Sequence, residues 1–358
     1  VQVNGQWDVN HNSGNSEVVQ VNLSAEIGGQ DSVMIGFKYV GQWDWFWAVD
    51  DVSISIPDNY DLSLDGAVWG STGYWGERIP YFQIPTSQVT DIDFSGVVEE
   101  SEDNNFKKGD RVILTGFRVG EVYFGGFAGY ARVNSSFLVK TPKELTNLQT
   151  MMMGTAGFTA LLCSFAIKAR EELLMGEKVK DVLVTGATGG VGSIAVMVLS
   201  KMGYDVHAVT GKKDKNDYLK DLGAKNIIDR KEFQGESKLL EKGIWDGVVD
   251  TVGGESLTKI LAQTKPGGIV AACGNAGGIK LNTSVMPFII RGVKLWGIDS
   301  SAASMKRREF AWNEAKNLVD FNKLKNLTKE HSLEDLIKIY PKMLKGEVFG
   351  RVVVNPNK

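Results

Sequence analysis

The chain has 358 residues, 43% hydrophobic and 23% charged, with a formal net charge of −3, two cysteines and three histidines. That length suggests more than one domain and a sizeable core, and the near-neutral balance gives no electrostatic basis for nucleic-acid binding. Cys163 and Cys273 sit in apolar runs and read as reduced core thiols, while His11, His207 and His331 are scattered. No zinc-ligand set can be assembled from them, so no metal is expected.

Residues 1–56 alternate apolar and polar positions around Trp7, Trp43, Trp45 and Trp47, which predicts an N-terminal β-sandwich-like segment. Trp43, Trp45 and Trp47 with Asp50 and Asp51 admit two readings. They form a sugar- or calcium-binding face, or they are the half-buried side and solvated end of an ordinary strand. Residues 57–92 are an irregular junction rich in Asp, Gly, Ser and Pro. The first ten residues lack a signal peptide's basic start and apolar core, and no uninterrupted apolar run reaches membrane-spanning length. A cytoplasmic location without a membrane partner is expected.

From residue 93 the composition changes. Helical periodicity predicts helices at 148–172, 194–202, 217–222, 257–263 and 307–319. Apolar runs predict strands at 182–185, 205–210, 247–250, 268–273 and 293–298. Their alternation argues an α/β fold with a doubly wound parallel sheet.

The segment V-L-V-T-G-A-T-G-G-V-G (182–192) runs from a predicted strand through a glycine turn into a helix. Strand, glycine turn and helix in that order cradle a pyrophosphate: the glycines let the backbone approach, and the helix start offers amides and a positive dipole end. An NAD site places an acidic residue after the next strand to bond the ribose 2′-hydroxyl. Here Thr210, Gly211, Lys212 and Lys213 follow that strand. A hydroxyl and two cations suit a 2′-phosphate and favour NADPH, while Asp214 just beyond leaves NADH open. Lys212 and Lys213 also fit a solvated loop. Arg230, after Ile227 and Ile228, fits either the same phosphate or an ordinary surface position.

A resemblance now emerges. I-D-F-S-G-V-V (92–98), G-T-A-G-F-T-A (154–160), D-T-V-G-G (250–254), A-A-C-G-N-A-G-G (271–278) and M-P-F-I-I-R…G-I-D-S (286–300) resemble the medium-chain dehydrogenase/reductase superfamily. Within it they resemble the YhdH/YhfP-type quinone oxidoreductases and acryloyl-CoA reductases. The resemblance implies a Rossmann NADP-binding domain at 151–300 and a partial GroES-like β domain from 93–150 and 301–358. It implies cofactor contacts at Thr188, Gly189, Gly190, Val191, Thr210, Gly211, Lys212, Arg230, Asn275, Ile289, Ser300 and Asn355. Val191 and Ile289 also read as plain core packing. The implied activity is a zinc-free, NADPH-dependent reduction of an activated C=C bond, acryloyl-CoA to propanoyl-CoA, with a quinone as the alternative acceptor and a homodimer as the expected assembly.

Relatives carry an Asn-Tyr-Lys-Asp motif whose tyrosine approaches the nicotinamide. Asn59, Tyr60 and Asp61 imitate it, which makes Tyr60 the catalytic candidate. Residues 16–56 resemble instead the end of a jelly-roll module of the cleaved-adhesin or MAM type. The rival reading is thus a carbohydrate- or surface-binding module fused to an inactive reductase lobe. Lys306, Arg307 and Arg308 form a basic cluster expected either to receive the phosphates of a CoA substrate or to open a solvated helix.

Overall fold

The computed structural model describes residues 93–120, 123, 125–344 and 348–358. The expectations for residues 1–56, for the junction 57–92 and for Tyr60 lie outside the described residues. Three short strands come first: β1 (Phe94–Val97), β2 (Arg111–Leu114) and β3 (Val139–Lys140), paired antiparallel in that order.

Helix α1 (Asn147–Leu173) starts on a capping box in which Thr146 and Gln149 satisfy each other's backbone amides. It is apolar and long enough to cross a membrane, but 78% of its most apolar stretch is buried inside the protein. It is a core helix. Its backbone breaks at Gly154 (φ 53°, ψ −158°). There the Asp93 carboxylate accepts from the Thr155 amide and, at 2.7 Å, from the Thr155 hydroxyl. A Cβ on residue 154 would lie 2.7 Å from Asp93 Oδ2, so glycine is required by space as well as by its positive φ. Asp93 thereby caps a second helix start from a distant part of the chain, a contribution of about 1 kcal/mol.

The central sheet is wholly parallel. Its strands are β4 (Asp181–Val184), β5 (Asp205–Thr210), β6 (Asn226–Asp229), β7 (Trp245–Asp250), β8 (Thr264–Ala272) and β9 (Lys294–Gly297), in the order β6-β5-β4-β7-β8-β9. This is the doubly wound order, which reverses between β4 and β7. Period-2 alternation divides the core. Val182 and Val184 face a cluster with Phe158 and Ile167 of α1 and Ile194 and Val198 of α2 (Gly190–Lys201). Leu183, Val248 and Val270 face the other cluster, with Leu257 and Ile260 of α4, which spans Gly254–Gln263; α3 (Asn216–Asp221) precedes it. Each buried Val or Leu of this kind contributes about 1.5–3 kcal/mol.

Strand β8 begins earlier than periodicity predicts. Helix α4 feeds straight into it, and the register with β7 shifts where the chain passes Pro266, Gly267 and Gly268. The remaining elements are α5 (Met286–Arg291), α6 (Met305–Leu318), α7 (Phe321–Leu327), β10 (Thr328–His331), α8 (Leu336–Leu344) and β11 (Arg351–Val354). Strands β10 and β11 pair parallel to each other.

Candidate functional site

In an open parallel sheet the ligand crevice lies beyond the carboxyl ends of the strands, at the point where strand order reverses. Here that point lies beyond β4 and β7. The turn leaving β4 is tightly folded: Ala187 N–H donates to Val209 O (3.1 Å) and Gly189 N–H to Gly186 O (2.8 Å). A Cβ on Gly192 would come within 2.4 Å of Gly186 O and 2.8 Å of Ala187 Cα, so any side chain there would push the turn open. Ser193 N–H is bonded back to Gly189 O (3.1 Å). The amides ahead of it belong to a helix start, whose first N–H groups have no partner within the helix. Gly189 is exposed, and Thr188, Gly190 and Val191 are half-buried around it. Val191 also packs on the core, as its second reading held.

The next turn is set beside it. Thr210 ends β5, and its hydroxyl accepts from Lys212 N–H (3.0 Å). A Cβ on Gly211 would lie 2.5 Å from Arg230 Nε, so the Arg230 side chain lies across the Gly211 backbone. Thr210, Gly211, Lys212 and Arg230 therefore meet at one corner, with Lys212 and Arg230 exposed. Asp214, the residue that kept NADH open, is ion-paired with Lys215 at 3.0 Å. Pyrophosphate cradle and cationic corner fit the two phosphate groups of an NADP-type dinucleotide.

At the far end, Asn275 lines a cavity of 510 Å³ with Cys273, Ile298 and Asp299. Ser300 follows β9, and its hydroxyl lies 2.8 Å from Thr159 of α1. Ile289 is 68% exposed on α5, which removes its core-packing reading. Asn355 stands apart from Asn275. It follows β11, donates to Glu330 Oε1 (3.0 Å) and lines a separate cavity of 1590 Å³ with Asp93, Ser95 and Met151.

The contacts of two residues escaped the sequence reading. Arg351 on β11 donates to Gly190 O on the phosphate turn, to Met152 O (3.2 Å) and to Ser193 Oγ (3.4 Å). Burial holds its guanidinium below the usual arginine range. It brings a positive charge to the cradle from a strand 161 residues away. Asp250, at the end of β7, is fully buried; burial pushes its carboxyl up, against hydrogen bonds from the Thr185 hydroxyl and the amides of residues 252 and 253. Nothing in the local sequence of either residue announces these contacts.

The basic cluster requires a correction. Arg308 is 1% exposed and donates to the carbonyls of Thr115 (2.6 Å), Ser300 (2.9 Å), Ser301 (2.7 Å) and Ala303 (2.9 Å). Its guanidinium also lies 4.1 Å over the Phe117 ring. It fastens the loop after β9 to the loop after β2 and cannot reach a CoA phosphate. Only Lys306 and Arg307 are exposed there. Cys163 is a buried core thiol, pushed well up by Cys273 beside it and then by burial, whereas Cys273 is half-buried and lines the cavity beside Asn275, which corrects its core reading. Among the described residues no three His, Cys, Asp or Glu side chains come together to hold a metal.

Comparison with known proteins agrees with this geometry. Residues 190–319 match the family described as "Zinc-binding dehydrogenase". The chain is 42% identical to acrylyl-CoA reductase AcuI of Ruegeria pomeroyi over 86% of its length and 91% of the relative's. That share exceeds what residues 57–358 hold, so the likeness reaches into the segment expected to be adhesin-like. Among solved structures, the yhdH oxidoreductase of Salmonella enterica in complex with NADP aligns with TM-score 0.70 and 45% identity, covering 74% of this chain and 80% of that one. The Bacillus subtilis protein yhfP with NAD bound aligns with TM-score 0.71 and 40% identity, covering 76% and 82%. The putative quinone oxidoreductase YhfP of Bacillus subtilis is 41% identical over 74% of this chain and 80% of its own length.

Proposed function

This chain belongs to the YhdH/YhfP-type oxidoreductases of the medium-chain dehydrogenase/reductase superfamily, and on that premise we propose that it reduces acryloyl-CoA to propanoyl-CoA with NADPH. The observation that carries the reading is the cationic corner of Lys212 and Arg230 beside the glycine cradle, in a chain so like the Ruegeria reductase. The cradle of 188–191, with Arg351 behind it, would hold the pyrophosphate. Thr210, Gly211, Lys212 and Arg230 would hold the 2′-phosphate, and Asn275, Ile289 and Ser300 would bound the nicotinamide end, with Asn355 on the facing lobe.

Bound NADPH supplies a hydride, which the acceptor takes at its β-carbon. Charge would then develop on the thioester oxygen, where a backbone amide or hydroxyl would stabilise it, and the α-carbon would take a proton. Water or Tyr60 is the proposed donor of that proton. The reaction is proposed as zinc-free on its donor set: Cys163 is buried, the Cys273 thiol lies 3.5 Å from Asp250 O, His207 faces Asp181, and His331 faces Asp335. A cytoplasmic location accords with use of NADPH. The antiparallel β1-β2-β3 sheet and the β10-β11 pair are proposed as parts of the GroES-like domain. The homodimer is supported by edge strand β9, whose Leu295 and Trp296 are exposed. Sedimentation should find a dimer that Trp296→Glu dissociates.

The deciding assay follows NADPH oxidation with acryloyl-CoA and, separately, with a small quinone. Propanoyl-CoA formation at the higher kcat/KM supports the proposal. Reduction of the quinone alone would instead establish the second reading, which the Bacillus relative's description favours.

A further inference from the structure

The hydroxyl of Ser300 is held in a way that fixes its hydrogen-bonding sense. Thr159, on α1, is 4% exposed, and its Oγ1 lies 2.7 Å from the carbonyl oxygen of Thr155 and 2.8 Å from Ser300 Oγ. A carbonyl only accepts, so the single Thr159 proton is committed to Thr155 O. The contact between the two hydroxyls must then run from Ser300 O–H to Thr159 Oγ1. Ser300 has no second proton, and only its lone pairs are left for a ligand.

The backbone around Ser300 is equally constrained. Arg308 Nη2 donates to the carbonyls of Ser300 (2.9 Å) and Ser301 (2.7 Å). Phe117 N–H also donates to Ser301 O (3.1 Å). Phe117 itself is held at φ 55°, a conformation that costs a non-glycine residue energy and persists only where its surroundings enforce it. The loop after β9 is therefore held at the backbone on either side of the Ser300–Ser301 peptide.

Resting on the assignment of Ser300 to the nicotinamide end, we propose that Thr159 is a positioning residue that presents Ser300 as a pure acceptor to the carboxamide NH2 of the cofactor. A carboxamide has one donor end and one acceptor end. An acceptor-only serine selects the NH2 end and so sets the rotation of the amide against the ring.

The test compares wild type, Thr159→Val and Thr159→Ser by titration with three probes. These are NADPH, its reduced 3-acetylpyridine analogue (methyl in place of NH2) and 2′-phospho-ADP-ribose, which lacks the nicotinamide. Wild type should prefer NADPH over the acetylpyridine analogue by about tenfold, the scale of one directed hydrogen bond. Thr159→Val should lose that preference while binding 2′-phospho-ADP-ribose unchanged, and Thr159→Ser should restore it. Equal weakening of all three probes by Thr159→Val would mark a merely structural residue and overturn the proposal. So would an unchanged preference, or a failure of serine to rescue. If wild type binds neither NADPH nor 2′-phospho-ADP-ribose, the cofactor reading itself falls and takes the proposal with it; binding of both keeps the two questions separate.

Discussion

The two ends of the six-stranded sheet are built from different materials. At the amino end the strands begin among charges. Lys265 Nζ sits 3.0 Å from both Asp181 Oδ2 and Asp246 Oδ2, His207 Nε2 lies 3.2 Å from Asp181 Oδ1, and Lys225 pairs with Asp205 at 2.6 Å. Asp246 also accepts the amides of residues 180 and 181. At the carboxyl end Gly189, Gly211, Gly253 and Gly274 take those places, with hydroxyls, an amide side chain and the exposed cations Lys212 and Arg230 around them. Charged side chains close one end against itself. Missing side chains leave the other end with backbone donors for an anionic ligand. The physical difference is between a network satisfied within the protein and one completed by a guest.

The comparison can be broken most severely at Gly192. Gly192→Ala drives a Cβ into the backbone of residues 186 and 187, and NADPH affinity should fall at least about a hundredfold, roughly 3 kcal/mol. Fluorescence titration measures this, with circular dichroism to show the sheet intact; an unchanged Kd would sink the cradle assignment. The double variant Lys212→Ala/Arg230→Ala should erase a preference for NADPH over NADH of about 2 kcal/mol while leaving NADH binding alone. Parallel losses for both cofactors would count against the 2′-phosphate corner.

The amino end should respond in the opposite sense. Lys265→Met leaves two carboxylates facing each other, so thermal stability should drop by about 1 kcal/mol with no change in the NADPH Kd. The smallest effect concerns acid. Burial pushes the Asp181 carboxyl up, but hydrogen bonds and charge from Lys265 and His207 outweigh it and hold the carboxyl below the usual range. Its stabilisation is therefore present above the unfolded aspartate value of about 3.9 and is lost as pH falls through the lower folded value. Asp181→Asn should flatten the acid limb of the stability curve. A limb of unchanged steepness would remove Asp181 from the account.

What could be read from the sequence was what is written locally. The parallel strands, the glycine turn and the corner after β5 each lie within a few consecutive residues, and their periodicity carried them. The corner's fourth member, Arg230, was legible only as one of two options, because its approach to Gly211 depends on how β5 and β6 pair. Arg308 was misread for the same reason. Lys306-Arg307-Arg308 looks like a solvated basic run, yet the third side chain finds its acceptors at Thr115, 193 residues upstream. Arg351 and Thr159 likewise act on partners distant in sequence, so their contacts are properties of the folded chain.

The broken helix α1 has an evolutionary corollary. Asp93, Gly154 and Thr155 make one joint: the carboxylate fills the space a Cβ would need and takes both hydrogen bonds that Thr155 offers. None of the three can change alone without leaving an empty bond or a collision. Among relatives these positions should be inherited as a unit, Asp93 with Gly154 or neither. A lineage that straightens the helix with alanine at 154 should also have given up the acid 61 positions before it.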